Sequence, residues 1–394
     1  MNLPKKNRIY LDFAATTPMD PLVLREMQPY FSEKFGNPNS PHETGREALL
    51  AVDSARDKTA ELFNSESEEI VFTSGATESN NLAIRGVIKK YQKVLKIPEI
   101  ITTKIEHPSV LNTCRDLERQ GVVVKYLPVK NNGIVDVSKL SELVSENTAL
   151  ISVMYVNNEI GTIQPVREIG KFVTKLNLQR KTPITFHTDA VQAVGSLNCD
   201  VKHLHVDLLS ASGHKIYGPK GVGCLYIKSG TPIMGIQTGG DQESGLRAGT
   251  LDVPSIVGFG KASELCIRRG VGDKKRMSKL RDWAFTEIMH FLPEAQISGE
   301  VGDLRIPNNL HLRVDGVDGN DIMFLMDNKF NISVSTGSAC TVGAAEPSKV
   351  LREMGINKTR LREGVRVTIG RTTTKAEMIA FIKAYVSCIA IIKK

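Results

Sequence analysis

Ser210-Ala211-Ser212-Gly213-His214-Lys215-Ile216-Tyr217-Gly218-Pro219-Lys220-Gly221 sets one lysine among small residues, directly beside a hydroxyl and an imidazole. A lysine becomes a nucleophile when its ammonium is desolvated or crowded by positive charge. Lys215 therefore suits a Schiff base with an aldehyde cofactor, and Ser212 and His214 suit the donors that a phosphate tail on that cofactor needs. A solvated glycine-rich turn carrying two ordinary lysines fits the same letters, so the remaining segments have to decide.

Thr73-Ser74-Gly75-Ala76-Thr77-Glu78-Ser79-Asn80 follows a predicted strand and opens a predicted helix. Free backbone N–H groups and hydroxyls converge there, which makes an anion cradle, although an N-capped turn without a ligand reads alike. It is not a nucleotide P-loop, since neither Gly-x-x-x-x-Gly-Lys nor Gly-x-Gly-x-x-Gly is present. Phe186-His187-Thr188-Asp189-Ala190-Val191-Gln192 puts a carboxylate just beyond a strand end, as a helix cap or as the partner of a pyridinium nitrogen. His107, in Ile105-Glu106-His107-Pro108-Ser109, offers an imidazole able to stack on a ring or move a proton. Asn158, in Tyr155-Val156-Asn157-Asn158-Glu159-Ile160-Gly161, offers an amide for a ring hydroxyl or a substrate carboxylate, unless the segment is only a turn.

Two further segments come late in the chain. Ser333 to Ala345 is a small-residue stretch around Cys340, and loops of this composition move, which suits a reactive thiol; a buried small residue in a tight turn is the other reading. Arg366 interrupts the apolar run Val365 to Gly370 and demands a partner there. A substrate carboxylate would provide one, as would a structural ion pair.

The elements that must hold these residues alternate. Predicted strands at 69–73, 99–103, 122–129, 149–156, 183–187, 206–210 and 222–227 are separated by helical patterns at 78–91, 108–120, 137–146 and 165–176. This grammar predicts an α/β fold with a mainly parallel seven-stranded sheet sandwiched by helices, and ligands at the strand C-termini. A helical stretch over 254–291 contains the junction to a smaller α+β unit, with strands near 309–314, 332–335 and 365–370 and a last helix from Thr374. The expected division is a large cofactor-binding domain over 16–260 and a small domain made of 1–15 and 261–394.

With 394 residues, 41% hydrophobic and 24% charged, the composition is that of an ordinary globular chain, and no apolar run is long enough to span a bilayer. A cytoplasmic protein is expected. The formal charge of +8 is spread along the chain without a basic, aromatic-interleaved stripe, so no direct nucleic-acid or membrane partner is expected. Cys114, Cys199, Cys224, Cys266, Cys340 and Cys388 are scattered with no Cys-x-x-Cys, which argues against a disulfide framework or a cysteine metal site. Cys224 and Cys388 lie in apolar patterns and read as inert core.

Taken in order, Tyr10 to Pro18, Thr73 to Asn80, Glu106-His107, Val156 to Gly161, Asp189 to Gln192, Ser212 to Lys215, Gly245 to Thr250, Ser335 to Cys340 and Arg366 resemble the NifS/IscS-type cysteine desulfurases. These are class V aminotransferases of the fold type I pyridoxal-5'-phosphate enzymes. The resemblance implies that Lys215 carries the cofactor, Asp189 pairs with its pyridine nitrogen, His107 stacks on its ring, and Asn158 and Gln192 contact the ring hydroxyl side. It implies phosphate contacts at Ala76, Thr77, Ser212 and His214, completed by Thr250 from the other subunit of a homodimer. It also implies that Arg366, with Asn158, grips the carboxylate of L-cysteine and that Cys340 takes the sulfur as a persulfide, with His107 handling the substrate thiol proton.

The product would be L-alanine, and the sulfur would pass to an acceptor such as an iron-sulfur scaffold or a tRNA or cofactor thiolation enzyme. No metal is expected, apart from a cluster that Cys340 shares transiently with a scaffold. The long cysteine loop resembles the branch serving general iron-sulfur assembly and thio-modification. Asp241 stands where a third glycine is usual, and Lys393-Lys394 ends the chain without the extension through which some relatives dock a scaffold, so the acceptor is open. Selenocysteine lyase or another class V aminotransferase is the nearest alternative activity. A silent assembly protein would not require Lys215, Asp189 and Cys340 together.

Overall fold

The computed structural model describes residues 8–337 and 347–394. Strand β1 (Ile9–Tyr10) leads into helices α1 (Pro21–Met27) and α2 (Glu43–Phe63). α2 begins where the His42 imidazole accepts the Gly45 N–H, and ends at Asn64 in the left-handed conformation. The expected alternation then appears as β2 (Ile70–Thr73), α3 (Ala76–Tyr91), β3 (Glu99–Thr103), α4 (Pro108–Arg119) and β4 (Val123–Leu127). It continues through α5 (Leu140–Leu143), β5 (Thr148–Ser152), α6 (Val166–Asn177), β6 (Thr185–Asp189), α7 (Val201–Leu204), β7 (Leu208–Ser212) and β8 (Gly223–Ile227).

These strands form a seven-stranded sheet in the order β2-β8-β7-β6-β5-β3-β4, in which β8 runs antiparallel to both of its neighbours. Every residue of β5, β6, β7 and β8 is buried, as expected for strands covered on both faces. The α/β fold with a mainly parallel sheet is thus as expected. All the parallel strands end on one edge, where β2, β3, β5, β6 and β7 deliver the segments singled out above, and β8 starts at that same edge with Gly223.

Local corrections have identifiable causes. The helix expected over 137–146 is a 3-10 turn (Val137–Lys139) followed by the single turn of α5. The Thr148 hydroxyl accepts the Ser145 N–H and the Ser145 hydroxyl accepts the Asn147 N–H, offering the backbone partners that replace helical ones. β6 begins two residues later than expected because Asn177 brackets Ile184, accepting its N–H and donating to its carbonyl. Asp189 is the last residue of the strand rather than a residue just beyond its end.

Helix α8 (Val253–Phe291) is 39 residues long, about 58 Å at 1.5 Å per residue. Its first half, with Ile256, Phe259, Ala262 and Leu265, packs into the core beneath the sheet. Its second half, with Met277, Ala284 and Ile288, belongs to a separate core. That second core is built with β9 (Gln296–Ile297), β10 (Asn309–Arg313), α9 (Gly319–Phe330), β11 (Ile332–Ser333), β12 (Val365–Thr368) and α11 (Lys375–Ile392), while α10 (Lys349–Glu353), between β11 and β12 in the chain, packs Val350 and Leu351 with Ile105, Met154 and Ile160 in a smaller cluster. β9, β10 and β12 make an antiparallel sheet in the order β12-β10-β9, and β1 pairs in parallel with β11. Leu11 also lies in this second core, so the start of the chain packs with its end.

Candidate active site

A cavity of about 610 Å³ opens at the C-terminal edge of the large sheet. Ala76, Thr77, His107, Asn158, Asp189, Gln192, Ser212, His214, Lys215 and Arg366 all line it. Residues from five strand ends and from β12 therefore meet at one place, at a volume within the usual range for small-ligand sites.

Lys215 closes a 3-10 turn (Gly213–Lys215) directly after β7. Its turn is held by the segment that follows β1. The Lys215 ammonium donates to the carbonyls of Ala14 and, at 2.8 Å, Ala15. The Thr17 N–H and hydroxyl both reach the His214 carbonyl at 2.9 Å, the Thr17 hydroxyl accepts the Tyr217 N–H, and the Asp20 N–H donates to the Tyr217 carbonyl. Gln192 donates its amide to the Ala14 carbonyl at 3.0 Å, so in this structure it braces the same segment. His214, whose Nδ1 lies 3.1 Å from the Thr16 hydroxyl, is pushed down to about 4 by burial and then by the charges of Lys215 and Lys220. A site in which an imidazole is held neutral by neighbouring cations favours an anion.

The anion cradle is built at the start of α3. Gly75 is the N-cap, with φ +148° and no side-chain capping bond, and the first-turn N–H groups of Ala76 and Thr77 have no intrahelical acceptor. Glycine is needed on both sides of this turn, because a Cβ on Gly223 would come within 2.7 Å of Gly75 Cα. Glu78 accepts the Ser74 N–H at 2.7 Å and pairs with Arg247 at 2.8 Å, and its carboxyl lies below its ordinary value; burial opposes this, while the bonds to Arg247 and Ser74 produce it.

Asp189 is 6% exposed, with one oxygen accepting the Val191 N–H and the other the Asn80 amide at 2.8 Å. The Asn80 amide also donates to the Ser109 hydroxyl, which lies 2.8 Å from His107 Nδ1. His107 caps α4 by accepting the Ser109 N–H, and burial holds it below its ordinary value, with Asp189 opposing and Lys215 adding to the effect. Asn80, one turn into the cradle helix, is a residue that motif reading did not assign a role. Its only sequence signal is a polar residue on the inner face of an amphipathic helix.

Arg366, on β12, is 5% exposed and is held from two sides: it donates to Asp12 at 2.8 Å and to the Asn158 carbonyl at 2.8 Å. Its Nε is buried without a hydrogen-bond partner among the described residues. Asp12 too was assigned no role from the sequence, since nothing near residue 12 signals a partner on β12. The segment after β5 is indeed a turn, tied by Asn157, whose side chain accepts the N–H groups of Glu159 and Ile160 and donates to the Ile105 carbonyl. The same turn presents Asn158 to the cavity.

Two expected residues are not among those brought together. Cys340 lies outside the described residues. Thr250 is exposed and does not line the cavity of its own chain; the Gly249 N–H beside it donates to the Gln242 side chain. The other cysteines, Cys114, Cys199, Cys224, Cys266 and Cys388, are all buried. Burial pushes the thiols of Cys114 and Cys266 up to about 12 and that of Cys388 up to about 11, and raises Cys199 and Cys224 as well. Among the described residues no cluster of three or more His, Cys, Asp or Glu side chains is arranged for a metal ion, and no helix is long and apolar enough to cross a membrane.

The family model of class V aminotransferases matches residues 9–381. A protein of Rickettsia typhi named cysteine desulfurase IscS is 45% identical over 387 residues, covering 96% of this chain and 91% of that one. The solved structure of a NifS-like protein superimposes with a TM-score of 0.89 at 38% identity, covering 98% of this chain and 100% of that one. A structure described as SspA in complex with cysteine gives a TM-score of 0.79 at 35% identity, over 93% of this chain and 100% of that one. Identity at this level along nearly the whole of both chains leaves one assignment: the chain belongs to the class V aminotransferase family, in the group that contains the cysteine desulfurases.

Proposed function

We propose that the protein is a pyridoxal-5'-phosphate-dependent cysteine desulfurase that converts L-cysteine to L-alanine and retains the sulfur as a persulfide on Cys340. The observation that carries this reading is the convergence of Lys215, Asp189 and the Gly75 cradle on the cavity that also holds Arg366. The residues fit the cofactor: an amine for the aldehyde, a buried carboxylate already oriented by Asn80 for the pyridine nitrogen, and unsatisfied helix N–H groups with Ser212 and His214 for the phosphate. Thr250 of a second copy would complete the phosphate contacts, which makes the functional unit a homodimer. When bound, pyridoxal phosphate supplies an electron sink next to the substrate Cα.

The chain's own residues do the rest. Arg366, its charge held in place by Asp12, grips the substrate carboxylate together with Asn158, and this orientation is worth much of the barrier. Lys215 takes the Cα proton and returns a proton to carbon. His107 receives the substrate thiol proton, and burial, which lowers its ring's basicity, favours passing that proton on. The Cys340 thiolate attacks the substrate sulfur: the S–S bond forms as C–S breaks, the electron pair stays on carbon, and protonation there gives L-alanine. The five described cysteines are buried with raised thiols, which supports Cys340 as the acceptor.

The sulfur would then pass to an acceptor protein, an iron-sulfur scaffold or a thiolation enzyme, in the cytoplasm. The division into a large domain over 16–260 and a small one from 1–15 and 261–394 is supported by the two cores that α8 joins. Mass spectrometry after treatment with L-cysteine tests the reading. One added sulfur on the Cys340 peptide, with stoichiometric alanine, is expected; amino transfer to a keto acid without that adduct would sink it.

A further inference from the structure

In the turn that follows β5, behind Asn158 of the cavity lining, lies a carboxyl with no part in the steps above. Glu159 is 4% exposed, and its backbone is fixed by the Asn157 side chain at its N–H and by the Asn309 amide at its carbonyl. Its neighbour Asn158 carries the carbonyl that holds Arg366. Its carboxyl reaches the start of α10. There the Ser348 hydroxyl donates to Oε1, while Ser348 in turn caps α10 by accepting the Leu351 N–H. On the other side Gly337, at φ +82°, packs its backbone flat against the same side chain: a Cβ on Gly337 would lie 2.5 Å from Glu159 Cγ and 3.1 Å from Cδ.

Gly337 and Ser348 border the stretch of chain in which Cys340 occurs. One buried side chain thus touches the last described position before that stretch and a position just after it, next to the arginine proposed to hold the substrate. His311, fully buried with Nε2 3.7 Å from Glu159 Oε1, is pushed down to about 3 by burial and by Arg305, Arg313 and Arg366, so it is neutral and the contact is not an ion pair. Burial pushes the Glu159 carboxyl up to about 7, against the pull of Ser348 and Arg366. A neutral group of the same shape and acceptor capacity would therefore fill the same place.

We propose that Glu159 is a positioning residue for sulfur transfer: by holding Gly337 and Ser348 against the Asn158 turn, it fixes both flanks of the Cys340 segment relative to the substrate bound at Arg366. The proposal rests on the desulfurase reading. A misplacement of about 1 Å is enough to cost on the order of 100-fold in a step that depends on alignment. The cost falls on the sulfur-transfer step, because Glu159 itself contacts neither Lys215 nor Asp189 among the hydrogen bonds and ion pairs described.

The test uses the full-length holoprotein with Glu159→Ala, Glu159→Gln and Gly337→Ala. Two quantities are read for each: the L-cysteine concentration that shifts the cofactor's visible absorption, and the single-turnover rate at which sulfur appears on Cys340 by mass spectrometry. Glu159→Ala and Gly337→Ala are expected to shift the spectrum within about twofold of the wild-type concentration while slowing sulfur transfer by about tenfold or more. Glu159→Gln is expected to transfer within about threefold of wild type, and the two slow substitutions combined are expected to cost less than the product of their separate effects, since both act at one contact.

Wild-type transfer in both Glu159→Ala and Gly337→Ala would overturn the inference, as would equal losses of binding and transfer in Glu159→Ala and Glu159→Gln. Absence of sulfur on Cys340 in the wild-type protein would instead overturn the desulfurase reading, and this inference with it.

Discussion

Lys215 and Arg366, which both line the cavity, are held in opposite ways. Lys215 stands at the end of β7, and its turn is bound through backbone groups of residues 14–20, several hydrogen bonds deep. Arg366 stands in a short strand of the other core and depends on one carboxylate, Asp12, and one carbonyl, Asn158. The first arrangement tolerates loss of a single side chain in its support, because backbone groups remain. The second concentrates its geometry in two contacts, so each matters. Placement by a sheet edge is robust, whereas placement by a charge pair across two cores is adjustable and more easily broken.

The largest expected effect tests the lysine side. Lys215→Ala should lower alanine formation by on the order of 10²–10⁴-fold or more and leave no borohydride-trapped adduct, read by product assay and mass spectrometry. Retained activity at the wild-type rate would remove Lys215 from the chemistry. Arg366→Gln should be next, raising KM for L-cysteine roughly 10- to 150-fold, the equivalent of a lost charge-assisted contact of about 1.5–3 kcal/mol, with the cofactor's visible spectrum unchanged. A lost spectrum in that variant would show that Arg366 supports the whole cavity rather than the substrate carboxylate.

Asp12→Asn sharpens the comparison, because it keeps a hydrogen-bond acceptor but removes the charge that faces Arg366. KM should rise roughly 2- to 10-fold with kcat little changed, and an unaltered KM would mean that Asn158 suffices to hold the arginine.

The smallest effect concerns stability. Glu106 is buried beneath the sheet edge, accepting from the Thr103 hydroxyl and the Met154 N–H at 2.9 Å, and burial raises its carboxyl from 4.5 to about 8, with Asp189 adding to the rise. A carboxyl raised on folding contributes stability that is complete below the unfolded value and is lost as pH climbs through the folded one. Wild-type Tm should therefore fall relative to Glu106→Gln between about pH 4.5 and about pH 8 and run parallel to it above. A Tm difference that does not vary over that interval would show that Glu106 ionises without cost in the fold.

The lysine side was legible in the sequence because its information is local. A short apolar run, then small residues, then Lys215 is enough to state both strand and loop, and the same holds for Thr73 to Thr77 and for Asp189. The arginine side was legible only as an anomaly, a charge in the apolar run Val365 to Gly370. Its partner Asp12 lies at the other end of the chain, and β1 pairs with β11 to bring it there. Asn80 and Glu159 were likewise silent: a polar residue within a helix and a glutamate in a turn carry no signal until the elements pack. The helix expected at 137–146 failed for a local reason of a different kind, in that Ser145 and Thr148 offered hydrogen bonds that compete with the helical ones.

The sequence by itself determined the alternation of strands and helices, the edge at which ligands belong, and the reactive groups placed there, because apolar periodicity and strand-end position are properties of neighbouring residues. Only the tertiary structure decided what those groups touch: that Asn80 joins Asp189 to Ser109, that Asp12 and Asn158 hold Arg366, and that Glu159 meets both Gly337 and Ser348. The reason is physical. A buried charge or amide must find a partner at hydrogen-bond distance, and folding chooses that partner from anywhere along the chain, at separations that no local pattern records.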